Sequence, residues 1–174
     1  MHEFAITAIG QDRPGIVAGF TEVLLALGCN LADCSMSLLR NEFAMILLVE
    51  SPQEVGADRL NTALEEPARR FDLVVTTREF EDVPGPEGDV PFVVSVYGKD
   101  RPGIVHAVSK ALADMDVNIT DLRSHLVGGD LYAMILDVAV PPALAPGEVA
   151  ARLQAISREL GVSLTFRSTE AAEL

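Results

Sequence analysis

Apolar residues alternate with polar or small ones near the start of the chain, at Phe4, Ile6 and Ala8. They then recur every third or fourth position, where Ile16, Val17, Phe20, Val23, Leu24 and Leu27 share one stripe. The first spacing predicts a strand with one buried face, the second an amphipathic helix. Gly28 suits the end of that helix, because glycine takes the left-handed conformation that closes a last turn. Alternation then resumes, with Ala32, Cys34, Met36 and Leu38 on one face and Asp33, Ser35 and Ser37 on the other. A turn at Arg40 leads into a third strand, FAMILLV from Phe43. Leu60, Ala63, Leu64, Ala68 and Phe71 predict a second helix, and LVVTTREF from Leu73 a fourth strand. The predicted order is βαββαβ. Pro67 falls inside the second helix, where it removes a hydrogen bond and crowds the preceding turn, so a kink or early break is expected near Glu66.

The same pattern is written twice. GQDRPGIV from Gly10 returns as GKDRPGIV from Gly98, differing only at Gln11 and Lys99. At that offset Phe4, Ile6 and Ala8 align with Phe92, Val94 and Val96, Asn30 with Asn118, and Asp33 with Asp121. One extra residue near Gly128 brings AMIL at Ala44 onto AMIL at Ala133, as a longer hairpin loop would. Ile104, Val105, Val108, Leu112 and Met115 mark the repeated first helix, and Val149, Leu153, Ile156 and Leu160 the repeated second, with Ile156 aligned to Pro67. Internal repetition decides architecture. The expectation is an α+β chain of two ferredoxin-like modules, residues 1–81 and 90–170, each a four-stranded antiparallel sheet with two helices on one face. Residues 82–89, rich in Pro, Gly and acid, read as a linker. A module this small exposes edge strands and has a limited core, so the two modules are expected to pair. A homodimer would serve the same need.

Composition narrows the function. Among 174 residues, 26 acidic against 13 basic give a net charge of −13, the wrong sign for neutralising phosphates, so direct nucleic-acid binding is not expected. The start, MHEFAITAIG, lacks a basic segment followed by an apolar core, and FAMILLV is too short to span a bilayer. No membrane association is expected, and a cytoplasmic location is. Cys29 and Cys34, if both lie along one extended strand, are ~16 Å apart and beyond disulfide reach. His2, His106 and His125 show no metal-ligand spacing, so neither a metal nor another cofactor is expected. No P-loop, metal-binding His pair or nucleophile elbow occurs, and no catalytic residue is assigned. Asp121, Arg123 and His125 would share one face of a strand, where a polar surface is the plain reading.

The repeated octet carries the candidate chemistry. It joins a strand to a helix, so the amides of Gly15 and Ile16, and of Gly103 and Ile104, are expected at a helix N-terminus that attracts anions. The plain alternative is that Asp12 and Asp100 cap their helices and Pro14 and Pro102 sit in the first turn. NLAD at Asn30 and NITD at Asn118 would add an amide just before the second strand, expected near the same end of the sheet. Together these groups suit a zwitterion, with its carboxylate on the helix amides and its ammonium on Asp12 or Asp100 and an asparagine carbonyl.

These residues, D-R-P-G-I after the first strand and N-[LI]-x-D opening the second, within βαββαβ order in both halves, resemble tandem ACT domains over nearly the whole chain. The resemblance implies a regulatory module that binds amino acids at interfaces between paired modules, through this loop and the start of the second strand. It implies ligand-binding roles for Asp12, Arg13, Pro14, Gly15, Ile16 and Asn30, and for Asp100, Arg101, Pro102, Gly103, Ile104 and Asn118. A small ligand such as glycine or serine is favoured. Ligand-binding members often carry Asn where this chain has Asp12 and Asp100, and a carboxylate there would repel a ligand carboxylate while attracting its ammonium. A free-standing pair is similar to the glycine cleavage system transcriptional repressor group, which implies action through a transcription-factor protein and no enzymatic activity. The alternatives are a pure protein-interaction module, or a regulatory subunit of an amino-acid metabolic enzyme with no ligand of its own.

Overall fold

A computed structural model of the chain describes residues 1–81 and 88–169, which form two compact units. In the first, β1 (His2–Gln11), α1 (Ile16–Ala26), β2 (Asn30–Leu39), β3 (Glu42–Ser51), α2 (Ala57–Phe71) and β4 (Leu73–Glu79) follow one another. The second repeats them as β5 (Val90–Lys99), α3 (Ile104–Ala113), β6 (Asn118–Val127), β7 (Leu131–Val140), α4 (Pro146–Leu160) and β8 (Ser163–Ser168). Each sheet is antiparallel at every pairing, in the order β2-β3-β1-β4 and β6-β7-β5-β8. This is the ferredoxin-like βαββαβ arrangement, twice. The proposed linker lies mostly at residues 82–87, outside the described residues.

Register explains the core. Phe4, Ile6 and Ala8 of β1 pair with Val49, Leu47 and Met45 of β3, so all six side chains share one face and are buried. Ile16, Phe20 and Leu24 of α1 and Leu60, Leu64 and Phe71 of α2 are buried in the same cluster. The second unit builds its core from the corresponding positions. Two stripe positions fall outside it: Val17 and Val105 are exposed, one step beyond the buried Ile16 and Ile104.

Helix α1 closes as its sequence predicts. Gly28 takes φ 72°, its N–H bonds to the Leu25 carbonyl, and the Cys29 N–H bonds to the Leu24 carbonyl at 2.9 Å. Those two bonds satisfy carbonyls that a helix end otherwise leaves open. Pro67 behaves differently from expectation. No early break occurs, and α2 continues through Pro67 to Phe71. Pro67 is buried at the core position that Ile156 fills in α4. Opposite it stands Gly19 of α1, where a Cβ would lie 3.8 Å from the Pro67 Cβ, an ordinary packing distance. Packing against the neighbouring helix offsets one lost helical bond.

Strand β2 has an apolar row but no cover. It lies at the sheet edge, all of its ten residues are exposed, and Met36 and Leu38 share the core-side face with buried Met45 and Phe43 without being buried. One extra residue, Ala32, bulges between Leu31 and Asp33, and Thr120 repeats the irregularity in β6. Bulges of this kind bend an edge and interrupt its pairing.

Candidate functional site

The repeated loop lies between β1 and α1, and between β5 and α3. Asp12, Arg13, Pro14 and Gly15 are exposed while Ile16 is buried, and Asp100, Arg101, Pro102, Gly103 and Ile104 repeat that division. Ile16 and Ile104 therefore anchor the first turn in the core and the polar residues stand outside. The plain capping reading is corrected here. The N-cap residues are Gly15 and Gly103, at φ 95° and 98°, and neither helix has a side-chain cap. Pro14 and Pro102 precede the cap and are not in the first helical turn. Glycine is required at the cap because other residues reach this left-handed region only at a steric cost.

The backbone of each loop is tied to the neighbouring hairpin. The Asp12 N–H donates to the Asn41 carbonyl at 3.0 Å, and the Asp100 N–H to the Asp130 carbonyl at 3.1 Å. Both aspartate side chains are left outside, next to Arg13 or Arg101 in sequence. A carboxylate and a guanidinium thus flank a helix start whose first amides have no intrahelical partner. Helix-start amides and a guanidinium attract anions, and an exposed carboxylate attracts cations.

The asparagines are elsewhere. Asn30 pairs with Glu50, which pairs with Glu3, whereas Gly10 at the loop pairs with Phe43. Seven strand residues at about 3.3 Å each put Asn30 ~23 Å from the loop of its own module. Asn118 pairs with Ala139, opposite Pro91, and is equally removed from Gly98. The expectation that loop and asparagine share one end of the sheet is therefore overturned. The reason is topological: α1 runs back along the sheet, so β2 starts where β1 started. At that end the Asn30 side chain donates to the Glu50 carboxylate at 3.1 Å. A cavity of 190 Å³ lies nearby, lined in part by Glu3, Ala32, Glu50 and Phe80.

Two features escaped the sequence reading. Gly10 and Gly98 are required by space: a Cβ on Gly10 would lie 2.9 Å from the Asp72 carbonyl oxygen and 2.7 Å from the Leu73 side chain, and one on Gly98 2.7 Å from Val162. The signal was present, since both glycines begin the repeated octet. Asn41 and Asp130, which hold the loops, gave no signal, because their carbonyls act and not their side chains. Among the described residues no group of His, Cys, Asp or Glu could hold a metal ion. Cys29 and Cys34 are free thiols. Asp121, Arg123 and His125 do share one sheet face, and Arg123 bonds Asp121 at 3.0 Å. No helix among the described residues is long and apolar enough to cross a membrane.

A family model for the ACT domain matches the chain twice, at residues 2–78 and 91–167. A UPF0237 protein of Methanopyrus kandleri is 38% identical over 84 residues, 48% of this chain and 92% of that one. The glycine cleavage system transcriptional repressor of Escherichia coli is 28% identical over 123 residues, 71% of this chain and 64% of the repressor. A crystal structure of an unknown protein from Galdieria sulphuraria matches with a TM-score of 0.82 at 30% identity, over 97% of this chain and 98% of that chain.

Proposed function

The chain belongs to the ACT domain family, with one domain in each half, and from that premise we propose that it is a non-enzymatic sensor of a small amino acid such as glycine or serine. The observation that carries the reading is the duplicated loop, in which an exposed aspartate and arginine precede a helix start with no side-chain cap, twice. Asn30 and Asn118 enter by a different route from the one their spacing suggested. Because each is ~23 Å from its own loop, a site using both takes its asparagine from a second copy of the chain.

Regulation through a protein follows from charge. A relative is named a transcriptional repressor, and a net charge of −13 repels a DNA duplex. The chain accordingly acts on a transcription-factor partner and not on DNA, and glycine cleavage is the pathway that the relative's name suggests. A second reading, interaction without a ligand, is favoured by β2, whose ten exposed residues form an open edge able to pair with another strand.

Calorimetry with glycine and serine separates the two. Wild type is expected to bind one of them, and Asn30→Ala together with Asn118→Ala to weaken that binding by about tenfold, the effect of losing one good polar contact. If neither amino acid binds wild type, sensing of glycine or serine is dropped and the interaction reading stands. If binding is unchanged in the double variant, the asparagines are not part of the site.

A further inference from the structure

The two modules differ in one groove. Between α2 and β4 lies a cavity of 490 Å³, lined by Leu64, Leu73 and Val75 on its apolar side and by Asn61, Glu65 and Thr77 on its polar side. Its size is within the range of small-molecule sites. Pairing to the first strand sets the equivalence with the second module: Ile6 pairs with Thr77, and its counterpart Val94 pairs with Phe166. Phe166 stacks on Phe92 at 4.4 Å with the rings 7° apart, so a phenyl ring fills the register position that Thr77 leaves short. The rim differs too. Asn61 and Glu65, one turn apart on α2, correspond to Ala150 and Gln154 on α4.

A second feature lies beside the groove. The Thr77 hydroxyl oxygen is buried and has no hydrogen-bond partner among the described residues. The oxygen is closed off from solvent, so Thr77 bounds the groove and offers a ligand no hydrogen bond. The groove's only ionisable lining group is Glu65, which favours a cation and disfavours a second carboxylate.

We propose that this groove is a separate binding site for an organic ammonium with an apolar, ring-sized body. The ammonium bonds Glu65 and Asn61 at the rim, and the apolar body lies against Leu64, Leu73 and Val75 beside Thr77. The site belongs to the first module alone, because in the second the larger Phe166 stands at the register position of Thr77. It is chemically distinct from a site for a zwitterion, since nothing in its lining neutralises a carboxylate.

Amide NMR of the full chain titrated with phenethylamine, protonated at neutral pH, tests the proposal, with 2-phenylethanol as the uncharged comparator. Shifts are expected at Asn61, Glu65, Leu73, Val75 and Thr77 and not at Ala150, Gln154 or Phe166. Glu65→Gln, at an exposed helix position, is expected to weaken binding about tenfold, as loss of a charge-assisted contact does. Thr77→Phe should abolish binding with the remaining spectrum unchanged. If that variant fails to fold, Ala68→Leu, which fills the groove from the helix side, replaces it. Absence of shifts up to the probe's solubility limit overturns the site, as does unchanged binding in Glu65→Gln or in the filled groove. Equal binding of 2-phenylethanol overturns the assignment to an ammonium.

Discussion

Gly19 of α1 faces the ring of Phe71 so closely that a Cβ on the glycine would lie 2.8 Å from the Phe71 Cε2. The second module has Ala107 and Leu160 at these two positions, both partly buried against its core. One copy pairs a bare glycine with a large ring, and the other pairs a methyl with a smaller side chain.

That exchange predicts a thermodynamic coupling. Alanine favours a helix over glycine by about 1 kcal/mol, while overfilling a packed core costs about 1–3 kcal/mol. Gly19→Ala is therefore expected to destabilise wild type by ~1 kcal/mol and to stabilise a Phe71→Leu background by a similar amount. Urea unfolding of the four proteins measures it, and additive effects would show that the two residues do not compete for space.

Two glycines of the repeated octet should fail for different reasons. Gly103 has open space around it and φ 98°, so Gly103→Ala meets only backbone strain, about 1–2 kcal/mol. A Cβ on Gly98 would lie 2.7 Å from Val162 Cγ1 and 3.3 Å from its Cα. The cost of Gly98→Ala should therefore fall in part when Val162 is shortened to alanine, whereas that of Gly103→Ala should not. Denaturation midpoints of the paired variants decide between strain and contact.

Separated modules should not behave as independent monomers. Met36, Leu38 and Leu39 along β2, and Leu122, Leu126 and Val127 along β6, are all exposed on edge strands, and such edges recruit partners. Residues 1–82 and 90–174 expressed apart are expected to dimerise or to melt below the whole chain. Two monomeric fragments of undiminished stability in light scattering and thermal melts would remove the case for paired modules.

Purified chain alone is expected to leave a DNA duplex unshifted in a low-salt gel, because 26 acidic residues against 13 basic ones leave little surface for neutralising phosphates. Low salt is the condition most favourable to phosphate contacts, so submicromolar binding there would contradict action through a protein partner.

The sequence by itself determined the elements and their duplication. Whether a stretch buries one face as a strand or one stripe as a helix is decided by the spacing of neighbours, and Phe4, Ile6 and Ala8, or Phe20 and Leu24, carry that spacing openly. The Gly28 helix end was legible for the same reason, since its bonds span only a few residues. Tertiary structure alone decided what depends on contacts across the fold. Pro67 stays helical with its ring buried, a packing that no local spacing announces. Thr77 and Phe166 hold one register position in the two modules, and the groove beside Thr77 exists only once α2 lies over the strand. Asn30 and Asp12 are a different case, 18 residues apart in the chain and at opposite ends of the sheet. That last separation was within reach of the sequence, because two parallel strands joined by a helix must begin at the same end. What the sequence could not supply was the register that fixes which residues stand across from one another, because register is set jointly by three strands and the helices packed on them.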